Sequence, residues 1–491
     1  MNSKANMKRL WAKLRRWVRL PRKRGASPKA PPAPATEQEC PRAAPRIHGR
    51  NSMLENLPPE LHRVLLSTLD IEELRNLVFA SPVIYRQYLL DRRYLLCKCL
   101  DVTLGPVVVD AHAVHLASEN SPLASLRGTG MLNIETIERF LSFYHARRVA
   151  TPQPSFFNLV TEEEAVSICR FHLTVIDPIL RLYVSWALGN LASETKAQPD
   201  SQPLSPAEKS RLLRGLYRFE LCCALYGPRF NENDESQLSW QEIRFHFLDY
   251  SILDELEPWE AEEVRCFHAF AKDKYAQIFN SIAWDVDSDN PKFLTPFDKG
   301  VFDLREICID REQHSEAVIS RGLKFMLTTL SISKHAVLVS TMQDNIFFKL
   351  AFFEDPVIGR YHIDDFPVTK HQLAVRRAPL PFVGDIVDSA SGTWTPPFLW
   401  TRLWRETYSN INGWLRQESI QRWGYVFWDA SRVERTGAEE VMKRQSKMNL
   451  DYYDPRGYEE DEEDWGYDPA ETVLYHQAQE RRQRWSRAEL V

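Results

Sequence analysis

Between Leu54 and Leu100 the chain has almost no slack, and no other stretch limits so tightly what it can fold into. The run reads LENLPPELHRVLLSTLDIEELRNLVFASPVIYRQYLLDRRYLLCKCL, three short helical patterns joined by single turns. Pro58 and Pro59 follow Leu57, and proline suits the first turn of a helix, where its missing N–H would have had no partner. Leu61, Val64, Leu65 and Thr68 then recur at helical spacing and lay an apolar stripe along one face. Asp70, with Glu73 three residues on, reads as an N-cap with its capping-box acid and opens a second helix through Leu74, Leu77 and Val78. Ser81-Pro82 pairs an N-cap with proline at the first helical position and opens a third.

The chain downstream is helical in pattern as well. Val102–Val109 is a short β-branched run around Gly105-Pro106, where an extended excursion or a turn is expected. Asn133–Arg148 has acids early, basics late, and Ile134, Ile137, Leu141 and Tyr144 on one face, the signature of a helix. Phe156–Asn190 supplies two more, with Thr161 as N-cap to Glu164 and Asp177-Pro178 as a break. Residues 191–210 are polar with three prolines and read as a loop or flexible insertion. Ser205 then caps Pro206-Ala207-Glu208 and opens a long helix through Tyr226. In Leu238–Phe279, Ile243, Phe247, Tyr250, Leu253 and Leu256 keep helical spacing until Glu257-Pro258-Trp259. A new helix follows, with Glu260, Glu262 and Glu263 at its start and Val264, Phe267, Phe270, Tyr275 and Ile278 as its core. Residues 314–353 are helical and strongly apolar, and 354–399 form a Pro-rich, irregular connection. Trp400, Trp404, Trp414, Trp423 and Trp428 crowd one segment, where they either close a core or line an aromatic groove for a peptide or ligand.

The order LPPE-L, LL, EEL and SP across Leu57–Pro82 resembles the F-box, in the version common in filamentous fungal proteins. The resemblance covers the stretch from Leu54 to Leu100 and departs from the family at one point. Many F-boxes carry Trp or Cys in the third helix, where this chain has Tyr85 and Tyr88. The segment EPWEAEEVRCFHAF is similar to one that recurs downstream of such F-boxes in helical domains of undetermined activity. The plain alternative is a three-helix subdomain with an ordinary core. What the resemblance implies is a protein–protein interaction module. The F-box would dock on a Skp-type adaptor and, through it, a cullin ubiquitin ligase, while the helical body presents an unknown protein substrate. The candidate adaptor-binding residues are Leu57, Pro58, Leu61, Leu65, Leu66 and Leu69, some of which must also face the unit's own core. A helical scaffold with a vestigial F-box is a second reading.

Charge is distributed unevenly. Residues 1–50 hold fourteen Lys and Arg against Glu37 and Glu39, a balance of +12; with the whole chain at −5, the other residues carry −17. Residues 5–20 place Met7, Leu10, Trp11, Leu14, Trp17 and Val18 at helical spacing between basic residues, followed by Pro21-Arg22-Lys23-Arg24. Residues 5–24 therefore suit an import receptor, an anionic membrane surface or a mitochondrial-type presequence, or form an unstructured basic tail. Prolines 28, 31, 32, 34, 41 and 45 make the next segment a linker. Beyond 450 the chain turns acidic, from Glu459 to Asp464 without a break. The expected organisation is a disordered basic arm and linker at 1–50, an F-box-like unit at 51–100, a helical substrate-binding domain at 101–450, and an acidic tail at 451–491. The fold class expected is mainly α.

No catalytic constellation is complete. G-x-S-x-G, G-x-x-x-x-G-K, H-E-x-x-H and G-x-G-x-x-G are all missing. His314-Ser315-Glu316 has the spacing of a zinc deaminase half-site without the P-C-x-x-C that completes it. Asp285, Asp287 and Asp289 alternate as in a calcium loop, but Asn290 stands where glycine is needed and Pro296 where the glutamate should be. They read as a helix C-terminus and turn, the competing idea being a diverged metal-dependent enzyme using Asp285 and Asp287. Cys266, beside Phe267-His268, reads as a small core residue. The eight cysteines are scattered with no C-x-x-C pair, which argues against a disulfide framework or zinc site. No run of about 18 apolar residues suggests a membrane span. Specific nucleic-acid binding has no basis beyond the basic arm. The sequence thus predicts a non-enzymatic protein without metal or cofactor, in the nucleus, the cytoplasm or both.

Overall fold

The computed structural model describes residues 53–118, 134–150, 155–227, 256–294, 300–304, 309–346, 379–386, 395–404, 406 and 418–447. The basic arm, its linker, the helical pattern at 238–250, most of IFFKLAFF, Trp414 and the acidic tail lie outside the described residues. Helix accounts for 74% of what is described and no strand occurs there, which makes the fold mainly α.

Three short helices open the described chain: α1 (Pro59–Ser67), α2 (Ile71–Ala80) and α3 (Pro82–Leu90). Local chemistry sets their starts. Pro59 occupies the first position of α1, the Asp70 side chain accepts from the Glu73 backbone while Glu73 reaches back, and the Ser81 hydroxyl accepts from Ile84. Helix α4 (Arg92–Leu104) follows, and it is apolar on more than one side. Leu95, Leu96, Cys97, Cys99 and Leu100 are all fully buried. One side of α4 packs against α1, α2 and α3. The Cys99 thiol donates to the Leu66 carbonyl, and the Ile71 backbone N–H donates to the Thr103 hydroxyl. The other side packs against α7 (Phe156–Leu159) and α8 (Glu162–Phe171). There the Arg93 guanidinium donates to the carbonyls of Val160 at 3.0 Å and Phe157 at 2.7 Å while lying over the Phe157 ring. The boundary expected after residue 100 therefore falls inside a helix that packs on both parts.

Neither of two other expected breaks opens an extended segment. Of the extended excursion or turn expected at Val102–Val109, the turn forms: α4 ends at Leu104, Gly105–Val107 make a single tight turn, and α5 (Val108–Ala117) restarts at once. Gly105, at a φ of +52°, holds a backbone conformation that L side chains rarely adopt, although a Cβ there would meet open space, and Pro106 starts the turn where its missing N–H does no harm. Asp177-Pro178 does not end the helix either. Residues His172–Ile176 widen into a π-turn, in which the Asp177 N–H reaches back five residues to the His172 carbonyl, and α9 (Asp177–Thr195) continues with Pro178 in its first turn. The insertion expected at 191–210 is helical through Thr195. The rest of it is tied to Arg432, which donates to Asp200 and to the carbonyls of Gln202 and Pro203.

The centre of the molecule is α10 (Pro206–Tyr226), opened by the Ser205–Glu208 capping box; all but three of its 21 residues are buried. It packs against α5 and against α11 (Pro258–Val286). At the α10–α11 crossing, a Cβ added to Gly215 would stand 2.9 Å from the Phe267 ring and 3.1 Å from the Glu263 Cβ, so only glycine lets the helices approach this closely. The helix expected at 133–148 is α6 (Ile134–Val149). Helices α12 (Ile309–Ile319) and α14 (His335–Gln343) pack against α11, while α13 (Gly322–Leu330) between them packs against α10. Four short helices close the structure: α15 (Phe398–Leu403), α16 (Glu418–Gln421), α17 (Ala430–Thr436) and α18 (Ala438–Lys447). Trp400, Trp404, Trp423 and Trp428 are buried among them and close the core.

A helix shared between two layers carries a measurable consequence. Leu100→Ala removes a fully buried side chain from α4 and is expected to lower stability by about 2–5 kcal/mol in urea titrations. Residues 53–100 alone are expected to give no cooperative transition, since the cut exposes the side of α4 that faces α7 and α8.

Candidate functional site

Helix α1 turns two unlike faces outward and inward. His62 and Leu66, one turn apart, are buried, and the His62 Nε2 donates to the Leu54 carbonyl at 2.7 Å. On the other side Pro58 is exposed, with Leu61 at 51% and Val64 at 61% of full exposure, while Leu57, Leu65 and Leu69 are half-buried along the margin. Positions 58, 61 and 65, and 61, 64 and 68, follow one another at three and four residues, so they form a continuous stripe on the helix surface. Arg63 steadies the edge of this face, its guanidinium lying 4.3 Å over the Tyr94 ring and 3.7 Å from Asp91.

Of the six candidate adaptor-binding residues, Leu57, Pro58, Leu61, Leu65 and Leu69 thus reach the outer side. Leu66 does not: it is 0% exposed and belongs to the core, because α4 covers that side of α1. Val64, part of the stripe but not among the six, joins the outer face. Further apolar exposure on the same unit comes from Phe79, Tyr85, Leu89 and Leu90. Tyr88 is instead buried, and burial pushes its phenol up to about 12 although Arg92 beside it favours the phenolate.

A second concentration of chemistry lies in the interior, where α5, α6, α10 and α11 meet. Glu260, Glu262 and Glu263 occupy the first turns of α11, where the helix dipole favours anions, yet all three are buried. Arg214 holds Glu263 with two parallel bonds of 2.8 and 2.5 Å and lies 3.4 Å from Glu260. Arg218 lies 3.1 Å from Glu260 and donates to Asp110 at 2.9 Å, and Asp110 also accepts from the Tyr144 hydroxyl. Arg148 donates to Glu260 at 2.9 Å. Three guanidiniums thus face three carboxylates, and the cluster is neutral. Burial alone would raise Glu260, but Arg218, Arg148 and Arg214, with the Glu257 N–H, outweigh it and hold the carboxyl at about 2. Two flanking groups repeat the pattern: Glu262 with Arg265, Gln421 and Tyr425, and Glu208 with Arg432.

The remaining motifs resolve as structure. His314 and Glu316 are buried, and Glu316 meets His268 Nε2 at 3.0 Å through both oxygens. Asp287 caps the end of α11 and accepts from the Asp289 N–H, so the alternating aspartates form a helix terminus and turn; Asp285 accepts from His335 Nε2 at 2.8 Å. Cys266 is fully buried, and desolvation pushes its thiol well up. Among the described residues no group of three or more His, Cys, Asp or Glu could hold a metal ion, and no helix is long and apolar enough to cross a membrane. Sequence reasoning missed the interior cluster. Glu260, Glu262 and Glu263 were readable only as first-turn acids, and the signal that could have found them is Arg214 and Arg218, one turn apart within an apolar helix.

No protein-family model, no curated protein and no solved structure matches the chain.

Breaking the cluster at one partner leaves a charge stranded. Glu263→Gln is expected to lower stability by roughly 3–5 kcal/mol, and the pair Arg214→Met/Glu263→Leu to recover much of that loss, measured by chemical denaturation. Acid acts elsewhere first. Desolvation, with Arg147 beside one ring and Lys209 near the other, lowers His112 and His172 to about 4 from an ordinary 6.5. The unfolded chain therefore takes up these protons before the folded one. Their contribution is complete above pH 6.5, is lost as pH falls toward 4, and amounts to about 3 kcal/mol per imidazole. His172→Phe is expected to flatten that slope in a pH series of melting curves.

Proposed function

We propose that this chain is an F-box-like adaptor that docks on a Skp-type subunit of a cullin ubiquitin ligase through the outer face of α1. The reading is carried by one observation. A nine-residue helix turns Pro58, Leu61 and Val64 to solvent, with Leu57, Leu65 and Leu69 at the margin, although the core beside it has room for only His62 and Leu66. Exposed apolar side chains in a continuous stripe mark an interface, since water gains by their removal. The resemblance rests on the order of residues from Leu57 to Pro82, the stretch that forms α1, α2 and the start of α3. The activity is positional: the chain holds an unknown protein substrate near a ubiquitin-conjugating enzyme and raises its effective concentration, with no catalytic residue and no cofactor of its own. The sharing of α4 between the docking unit and the body supports this, because a stiff connection keeps the cargo at one distance. Nuclear or cytoplasmic residence belongs to the same proposal.

Leu61→Asp, at an exposed position, is expected to abolish co-purification of a Skp-type adaptor from cells while leaving the melting curve unchanged. Leu66→Ala is expected to do the reverse at the level of stability, costing about 2–5 kcal/mol because it opens a core cavity. Adaptor binding retained by Leu61→Asp overturns the outer face of α1 as the contact, and no binding by the wild-type chain at micromolar concentration sinks the reading in favour of a helical scaffold.

A further inference from the structure

Helix α11 ends in a side chain its own core does not need. Ile282 and Val286 complete the buried stripe, while Trp284 between them turns outward at 61% exposure. It is the one exposed tryptophan among the described residues; Trp259, Trp400, Trp404, Trp423 and Trp428 are buried and Trp186 is half-buried. The contact between Asp285 and His335 brings the start of α14, with exposed Val337, beside the end of α11. The Asn290 amide donates to the Trp284 carbonyl at 2.8 Å and folds back the turn that carries exposed Leu294. An indole and two aliphatic side chains therefore stand in water on one end of the helix, and tryptophan is the residue most enriched where proteins bind one another.

The electrostatics select the occupant. Asp287 and Asp289 have no ion-pair partner among the described residues. Lys292 lies over the Phe293 ring and Lys334 precedes α14. The C-terminus of the 29-residue helix adds about half a negative charge beside Asp287 and Asp289. We propose that this surface docks a short peptide of another protein in which an apolar residue is flanked by arginine. The apolar residue packs on Trp284 and Val337. A flanking guanidinium lies over the indole, where the ring's negative face attracts it, and a second pairs with Asp287 or Asp289. The inference is independent of the adaptor reading, since it involves neither α1 nor its face.

The test is fluorescence anisotropy with the full chain and a short labelled peptide carrying leucine between arginines. Saturable binding is expected with a Kd on the order of 10 μM, weakening as salt rises. Trp284→Ala is expected to weaken it at least tenfold, and Trp284→Tyr to keep most of it. Asp287→Asn/Asp289→Asn should weaken it several-fold and reduce its salt dependence, and a peptide with glutamate in place of arginine should not bind. Matching circular-dichroism melts show that each variant is folded. No saturable binding by the wild type, or unchanged binding by Trp284→Ala, overturns the proposal.

Discussion

The structure depends on keeping three guanidiniums and three carboxylates paired where five of the six are buried and the sixth, Arg148, is half-buried. Asp110, Arg148, Arg214, Arg218, Glu260 and Glu263 come from α5, α6, α10 and α11, so the cluster joins four helices at their common centre. An isolated charge there would be expensive by several kcal/mol, and the cluster tolerates burial only because each member has an opposite within reach. Geometry follows from that requirement. Gly215 brings α10 close enough to α11 for Arg214 to grip Glu263 with two bonds, and Arg218 one turn on reaches Glu260 and Asp110. Helix crossing, helix register and charge pairing are therefore one constraint rather than three.

A second constraint links the interior to the surface. Helix α4 is buried on the side of α1 to α3 and on the side of α7 and α8, and Arg93 spends its donors on two carbonyls of the body. The unit that exposes the apolar stripe is thereby a wing of the whole fold rather than a bead on a linker. The stripe itself exists because α1 rests on α3 and α4 and buries only His62 and Leu66 against them, which leaves its other side in water.

Helix starts were legible because their causes are local. Asp70 with Glu73, Thr161 with Glu164 and Ser205 with Glu208 each form the capping box their spacing predicts, and Pro59, Pro82 and Pro206 sit in first turns. Breaks were less legible. Gly105-Pro106 and Asp177-Pro178 look like interruptions on a one-dimensional pattern, and each is absorbed by a change of helical pitch that needs surrounding packing to hold it. Which of Leu61, Leu65 and Leu66 face inward was not legible, because the inner side of α1 holds His62 beside Leu66 and so does not stand out as the more apolar one.

The sequence by itself determined that this chain is helical, where several of its helices begin, and that an apolar stripe runs along Leu61, Val64 and Leu65. Those properties follow from caps, prolines and spacing within a few residues, whatever the rest of the chain does. Only the tertiary structure decided that Leu66 is core while Leu61 is surface, that Glu260 and Glu263 are interior, and that Trp284 is left outside. Burial is a property of what covers a residue. Here the covering residues lie far along the chain: α4 over Leu66, and Arg214 and Arg218 against the start of α11. A charged residue reads as surface until its partner is found, and no local pattern names the partner.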